Sequence, residues 1–160
     1  MLRWPSRWPR SARRTRRPTL DSLERDVIGG FGDARALLAL SRGAQGGPRL
    51  KSEAYTSDRL NAQLKTMAGE LVDHRQLVRV DAANNTLSVN PIFSWREDVF
   101  VKSTAGKAPE VYSSRSPLER AVLTLIDPLI VRAEADFLKK NDFRMVFHDF
   151  DWRLNDLTAR

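Results

Sequence analysis

The stretch Phe143-Arg144-Met145-Val146-Phe147-His148-Asp149-Phe150-Asp151-Trp152-Arg153-Leu154-Asn155-Asp156 decides the fold. Its first half alternates, with Phe143, Met145 and Phe147 set against Arg144, Val146 and His148. A two-residue period sends successive side chains to opposite faces, so residues 143–148 read as a β-strand. The second half is rich in Asp and Asn and reads as a tight turn. Trp152 and Leu154 are expected to fasten the strand end to the core. Asp151 or Asn155 is expected to satisfy the turn backbone.

Helical signals precede that strand. Ser116-Pro117-Leu118-Glu119 has capping-box spacing with proline at the first helical position. Leu118, Val122, Leu125 and Ile126 form the apolar face of the helix it opens. Asp127-Pro128 restarts a helix that carries Leu129, Val131, Ala135 and Leu138, so the two segments read as distinct helices or one kinked helix. Residues 103–115 are polar, contain Gly106 and Pro109, and read as a loop. Asn90-Pro91 predicts a capped short helix through Ile92, Phe93 and Trp95.

Further back, Val78 and Val80 alternate with Arg79 and Asp81, and Leu87 and Val89 follow Asn84-Asn85. That predicts a hairpin over 78–90, with a type I′ turn asking both asparagines for positive φ. Leu60, Leu64, Met67 and Leu71 share one face of an amphipathic helix, with Thr56 or Ser57 as its cap. Ala36-Leu37-Leu38-Ala39-Leu40 is a short apolar run that periodicity cannot assign. The glycines flanking it favour a strand. Asp21-Ser22-Leu23-Glu24 has the spacing of another capping box, opening a short helix that Gly29-Gly30 can end. Helices and strands in mixed order give the α+β class: a single small domain with one small sheet.

The chain has 160 residues, room for one domain, and no run of about 18 apolar residues that would cross a membrane. Its formal net charge is +7. Residues 1–17 hold seven arginines and no acid, and basic and acidic residues balance over the rest. This arm is expected to be disordered, since its like charges repel and it carries two prolines. Arg3 to Arg17 with Trp4 and Trp8 interleaved is also the pattern that would grip an anionic partner such as nucleic acid. No apolar segment follows the charges, so the arm does not read as a secretory signal, and the expected location is cytoplasmic by default. With no cysteine in the sequence, disulfides, thiol nucleophiles and thiolate metal sites are excluded.

Two histidines bound the acid–base chemistry. His74 falls at the end of the Leu60–Leu71 helix, where a helix C-terminus favours a partial positive charge. His148 lies beside Asp149 and Asp151, and these three are the candidate catalytic set of a hydrolase, with water or Ser41 as nucleophile. No second histidine stands at ligand spacing, so no metal site is expected. Gly43-Ala44-Gln45-Gly46-Gly47 is not followed by the Lys and Ser/Thr of a phosphate loop and reads as a turn, so no cofactor is expected. Trp95-Arg96-Glu97-Asp98 reads as a packed anchor with solvated neighbours.

Five segments together resemble the domain-of-unknown-function 547 family. They are Leu20-Asp21-Ser22-Leu23-Glu24-Arg25, Phe31-Gly32-Asp33-Ala34-Arg35, Pro48-Arg49-Leu50-Lys51-Ser52-Glu53-Ala54-Tyr55-Thr56, Ile92-Phe93-Ser94-Trp95-Arg96-Glu97-Asp98 and Asp151-Trp152-Arg153-Leu154-Asn155-Asp156. The resemblance spans residues 19–156 and covers the C-terminal part of the family pattern. It implies that a Trp/Asn-rich helical segment is missing ahead of Leu20, with the basic arm in its place. Relatives are often exported. Many carry a histidine and a cysteine pair at positions that fall, read without gaps, on Leu37, Arg42 and Gly47. Arginine stays protonated and cannot replace a thiolate. The resemblance therefore implies a non-catalytic member that acts in binding or scaffolding, and it brings no established activity with it.

Overall fold

The computed structural model describes residues 18–140 and 142–156, so the basic arm at 1–17 lies outside the described residues. Among these, seven helices and a three-stranded mixed sheet form an α+β domain. The helices are α1 (Leu20–Ser22), α2 (Arg35–Leu38), α3 (Leu60–Asp73), α4 (Ile92–Trp95), α5 (Glu97–Thr104), α6 (Pro117–Ile126) and α7 (Arg132–Lys140). The strands are β1 (Val78–Asp81), β2 (Thr86–Val89) and β3 (Arg144–Phe147). Among the described residues no helix is long and apolar enough to cross a membrane.

The sheet order is β1-β2-β3. β1 and β2 pair antiparallel, with Val78 opposite Val89 and Val80 opposite Leu87. β3 adds parallel to β2, with Leu87 opposite Met145 and Val89 opposite Phe147. Parallel partners cannot be joined by a tight turn. Here α4 to α7 make the crossover. Their apolar faces meet the sheet in one core around Phe93, Phe100, Leu87, Val122 and Leu123, each of them fully buried. Phe93 and Phe100 tilt against each other with ring centroids 4.7 Å apart.

Several local signals act as the sequence reads. Ser116 Oγ accepts the Glu119 amide, and the Glu119 carboxylate accepts the Ser116 amide, completing the capping box of α6. Asp127-Pro128 ends that helix but does not restart one: the chain becomes helical again only at Arg132, so Leu129 and Val131 lie outside α7 and Val131 is 65 % exposed. Leu64, Met67 and Leu71 are buried on one face of α3. His74 caps α3, with Nδ1 2.8 Å from the Glu70 carbonyl.

Other expectations are corrected. Ala36–Leu40 is not a strand: Arg35–Leu38 is a helical turn whose Leu37 and Leu38 are buried, and the run is too short for periodicity to decide. The first helix begins earlier than Asp21-Ser22, because Thr19 Oγ1 already accepts the Ser22 amide at 3.1 Å. Neither Thr56 nor Ser57 caps α3 by its side chain. Arg59 holds the cap position, and Gln63 reaches back to the Thr56 amide at 3.0 Å. The hairpin loop is not type I′, since of its two asparagines Asn85 alone has positive φ, at 50°. Asp81 closes it instead, accepting the Asn84 amide at 3.1 Å. Residues 103 and 104 belong to α5 rather than to the loop. On β3, Phe143 just ahead of the strand is buried, but Phe147 is 44 % exposed, because the strand runs past the core at its end.

Candidate functional site

Beyond β3 the chain turns back over the glycine loop at 43–47. Ala44 and Leu154 form an antiparallel bridge, flanked by Gln45 N–H to Arg153 O at 2.9 Å and Gly46 N–H to Asp151 O at 2.9 Å. Gly46 is required there: a β-carbon would come within 2.8 Å of the Asp151 amide nitrogen and about 3 Å of the Phe150 ring. The clasp is therefore made by backbone. Trp152 and Leu154, expected to plug into the core, are each 65 % exposed. Asp151 does serve the turn, accepting the Arg153 amide at 3.1 Å.

The candidate catalytic set does not assemble as a unit. Both Asp151 oxygens are held by its neighbour Arg153, Oδ1 by Nε at 2.9 Å and Oδ2 by Nη2 at 2.5 Å. Those hydrogen bonds hold the Asp151 carboxyl down at about 2, a poor proton acceptor near neutrality. His148 lies partly buried, with Nδ1 3.3 Å from Ser88 Oγ. Burial and then the Arg79 cation lower its pKa, outweighing the Gln76 carbonyl and the Asp149 charge. Asp149 is exposed, and no hydrogen bond joins His148 to Asp149 or Asp151 among the described residues. Ser41 makes no hydrogen bond with the histidine among the described residues; its Oγ accepts the Gly43 amide at 3.3 Å. Among the described residues no group of three or more histidine or acidic side chains is placed to hold a metal ion.

The closing segment instead builds an aromatic shelf. Trp95, at the end of α4, stacks on Trp152 with centroids 5.7 Å apart and planes 19° apart. Phe150 tilts against both, at 5.2 Å from Trp95 and 4.5 Å from Trp152. Trp95 is 38 % exposed and Trp152 65 %, so the shelf offers ring faces to solvent. The Arg42 guanidinium lies 5.8 Å from the Trp95 ring centre.

Behind the shelf lies a partly buried charge network. Glu24 accepts from Arg42 Nη2 at 2.8 Å and faces Arg96 Nη2 at 3.3 Å. Arg96 also reaches Asp21 Oδ1 at 2.5 Å and the Trp95 carbonyl at 2.9 Å. Its Nε is buried with no hydrogen-bond partner among the described residues. The network joins Arg96, next to Trp95 in the chain, to Arg42 at the Trp95 ring through one Glu24 oxygen. In the sequence Trp95-Arg96 reads only as a packed anchor, because nothing local brings Trp152 to Trp95. That meeting depends on the Ala44–Leu154 bridge.

No family model, curated protein or solved structure matches the chain.

Proposed function

We propose that this domain works by binding rather than by catalysis, and that it binds a protein partner through the Trp95–Phe150–Trp152 shelf. The observation that carries this reading is the clamping of Asp151 by Arg153, together with a His148 that has no hydrogen bond to Asp149 or Asp151 among the described residues. A general base needs both a proton within reach and a pKa suited to it. The shelf has the composition of an interface anchor: two tryptophans and an arginine, residue types that dominate interface hot spots.

We propose further that the chain is a member of the domain-of-unknown-function 547 family. Three of the five resembling segments meet at the shelf, through Glu24 with Arg96 and Trp95 with Trp152. Their convergence is a reason for such segments to travel together. Leu37 and Arg42, which fall where relatives carry a histidine and a cysteine, are respectively a core residue and a partner of Glu24. Neither supplies a nucleophile.

The test is a turnover screen against ester, amide, phosphoester and glycoside substrates, with wild-type protein and His148→Ala side by side. The expected result is no His148-dependent turnover. A robust activity abolished by His148→Ala overturns the reading and restores the hydrolase alternative.

A further inference from the structure

A cavity of about 370 Å³ opens between α2, α3 and the C-terminal ends of α5 and α6. That volume lies within the range of about 300–1,000 Å³ where small-molecule sites fall. None of its lining residues belongs to the aromatic shelf.

The interior is apolar. Leu38 and Leu77 are buried in its wall, and Leu125 and Leu129 are partly exposed to it. Two threonines also line it, but their hydroxyls are spent on their own helix. Thr104 Oγ1 donates to the Phe100 carbonyl at 2.8 Å, and Thr124 Oγ1 to the Arg120 carbonyl at 2.6 Å. A ligand inside would find methyl groups and methylenes rather than polar partners.

The rim is cationic. Arg35, Lys65 and Lys107 stand on it against a single acid, Asp33, among the described residues lining the cavity. Arg35 and Asp33 neutralise each other, with Nη2 and Oδ2 2.7 Å apart, and Arg35 Nη1 is fixed on Asn61 at 2.9 Å. Lys107 is held over the opening by the turn that ends α5. Gly106 takes φ 71°, the Lys107 amide donates to the Thr104 carbonyl at 3.0 Å, and Nζ donates to the Ser103 carbonyl at 2.6 Å. The ammonium has two further donors, and it also faces the Asp33 charge from the same rim. Lys65, exposed on α3, has no hydrogen bond or ion pair among the described residues.

An apolar interior with two available ammonium groups at its edge is complementary to one kind of small molecule. We propose that this cavity binds an amphipathic carboxylate of medium chain length, with its tail over Leu38, Leu77, Leu125 and Leu129 and its carboxylate between Lys65 and Lys107. A carboxylate offers two oxygens, one for each ammonium, and a straight alkyl tail makes no demand for polar partners inside.

The probe is octanoate, titrated into methyl-labelled protein and followed by methyl NMR. Butanoate and octylammonium are the controls for tail and charge. Saturable shifts concentrated at the four leucines are expected with octanoate. Butanoate is expected to bind more than about ten-fold more weakly, since each buried methylene adds to affinity. Lys65→Glu with Lys107→Glu changes two exposed side chains, and an unaltered amide spectrum checks that the fold is kept. That variant is expected to weaken octanoate about ten-fold and to favour octylammonium over octanoate. Octylammonium binding wild type as well as octanoate, octanoate binding the variant unchanged, or shifts that neither saturate nor centre on these leucines would each overturn the proposal. None of these outcomes depends on the shelf or on the turnover screen.

Discussion

The Asn90 side chain donates to the Gly46 carbonyl at 3.0 Å, across 44 residues of sequence. Asn90 is 4 % exposed, and it uses its whole amide: Nδ2 also donates to the Gln76 carbonyl at 3.0 Å, and Oδ1 accepts the Ile92 amide at 3.0 Å. One side chain thus ties the glycine loop, the α3–β1 connection and the start of α4. Asn90→Ala leaves buried backbone groups without partners and is expected to cost about 2–4 kcal/mol. Asn90→Asp is expected to be as damaging, because a carboxylate cannot donate to either carbonyl. Urea denaturation of both variants checks this, and a loss below about 1 kcal/mol for Asn90→Ala would contradict it.

Glu24 is the shared acceptor of two guanidiniums whose side chains are only 13 % and 15 % exposed. Glu24→Gln leaves Arg42 without its carboxylate and Arg96 with Asp21 alone. A loss of about 2 kcal/mol is expected, toward the low end for breaking a buried pair because Asp21 remains. The control is Arg132→Ala, which removes an ion pair from a 95 % exposed side chain and is expected to change stability by less than about 0.5 kcal/mol. Equal effects of the two substitutions would refute the idea that the network is energetically distinct.

Acidification should weaken the fold in two steps. The His148 pKa is lowered in the folded state from an ordinary 6.5, so the unfolded chain takes up that proton first as pH falls. Stability from the neutral imidazole is complete above 6.5 and is lost as pH drops below that value toward the folded pKa. His148→Gln is expected to flatten the pH dependence in that window. Asp151 contributes stability above its ordinary 3.8 that is lost as pH falls toward 2, and Arg153→Ala is expected to shrink this second step without abolishing it, since the residue 153 amide still donates to Asp151 and Asp33, Asp58 and Asp81 are lowered too. Thermal melts across pH 2–8 separate the two windows. A His148→Gln curve parallel to wild type would exclude the first.

Arg75 occupies the left-handed position after α3, at φ 53°. The Gln76 amide donates to the Leu71 carbonyl at 2.9 Å and the Arg75 amide to Val72 at 2.8 Å, the pair of bonds that glycine ordinarily closes. Arg75→Gly relieves the β-carbon strain, offset in part by a looser unfolded chain. A gain of about 0.5–1 kcal/mol is expected. Gly46→Ala should act in the opposite sense, because its new methyl meets the Asp151 backbone; a loss of about 1–3 kcal/mol is expected. Calorimetric melts of the two variants should move to opposite sides of wild type.

Elements with strong local grammar were legible in the sequence. Ser116 with Glu119 announces α6, the Leu64-Met67-Leu71 spacing announces α3, and alternation announces the strands. What escaped was decided by distant contacts. Leu37 and Leu38 sit in a helical turn because burial beneath neighbouring helices suits it, and five residues of apolar chain cannot encode that choice. α5 was missed because Val99, Phe100 and Thr104 are buried without a clear helical stripe. His148 and its aspartates looked like a site because they are adjacent in sequence. The short Asp151–Arg153 spacing, which closes that carboxylate, was equally present and was read only as a turn. The shelf has a single trace in the sequence, a tryptophan beside charged residues in each of two segments, Trp95-Arg96-Glu97-Asp98 and Asp151-Trp152-Arg153.

The Ala44–Leu154 bridge has a consequence for how the molecule reaches its final form. It joins positions separated by most of the described chain, and the Asn90 tie and the shelf both lean on the segment it secures. Closing so large a ring costs entropy that only completed packing offsets, so this seam should knit last during folding. A nascent polypeptide would expose Trp95 and the uncovered edge of β2 until residues 144–155 arrive. During that interval the unpaired edge is the place where self-association would begin.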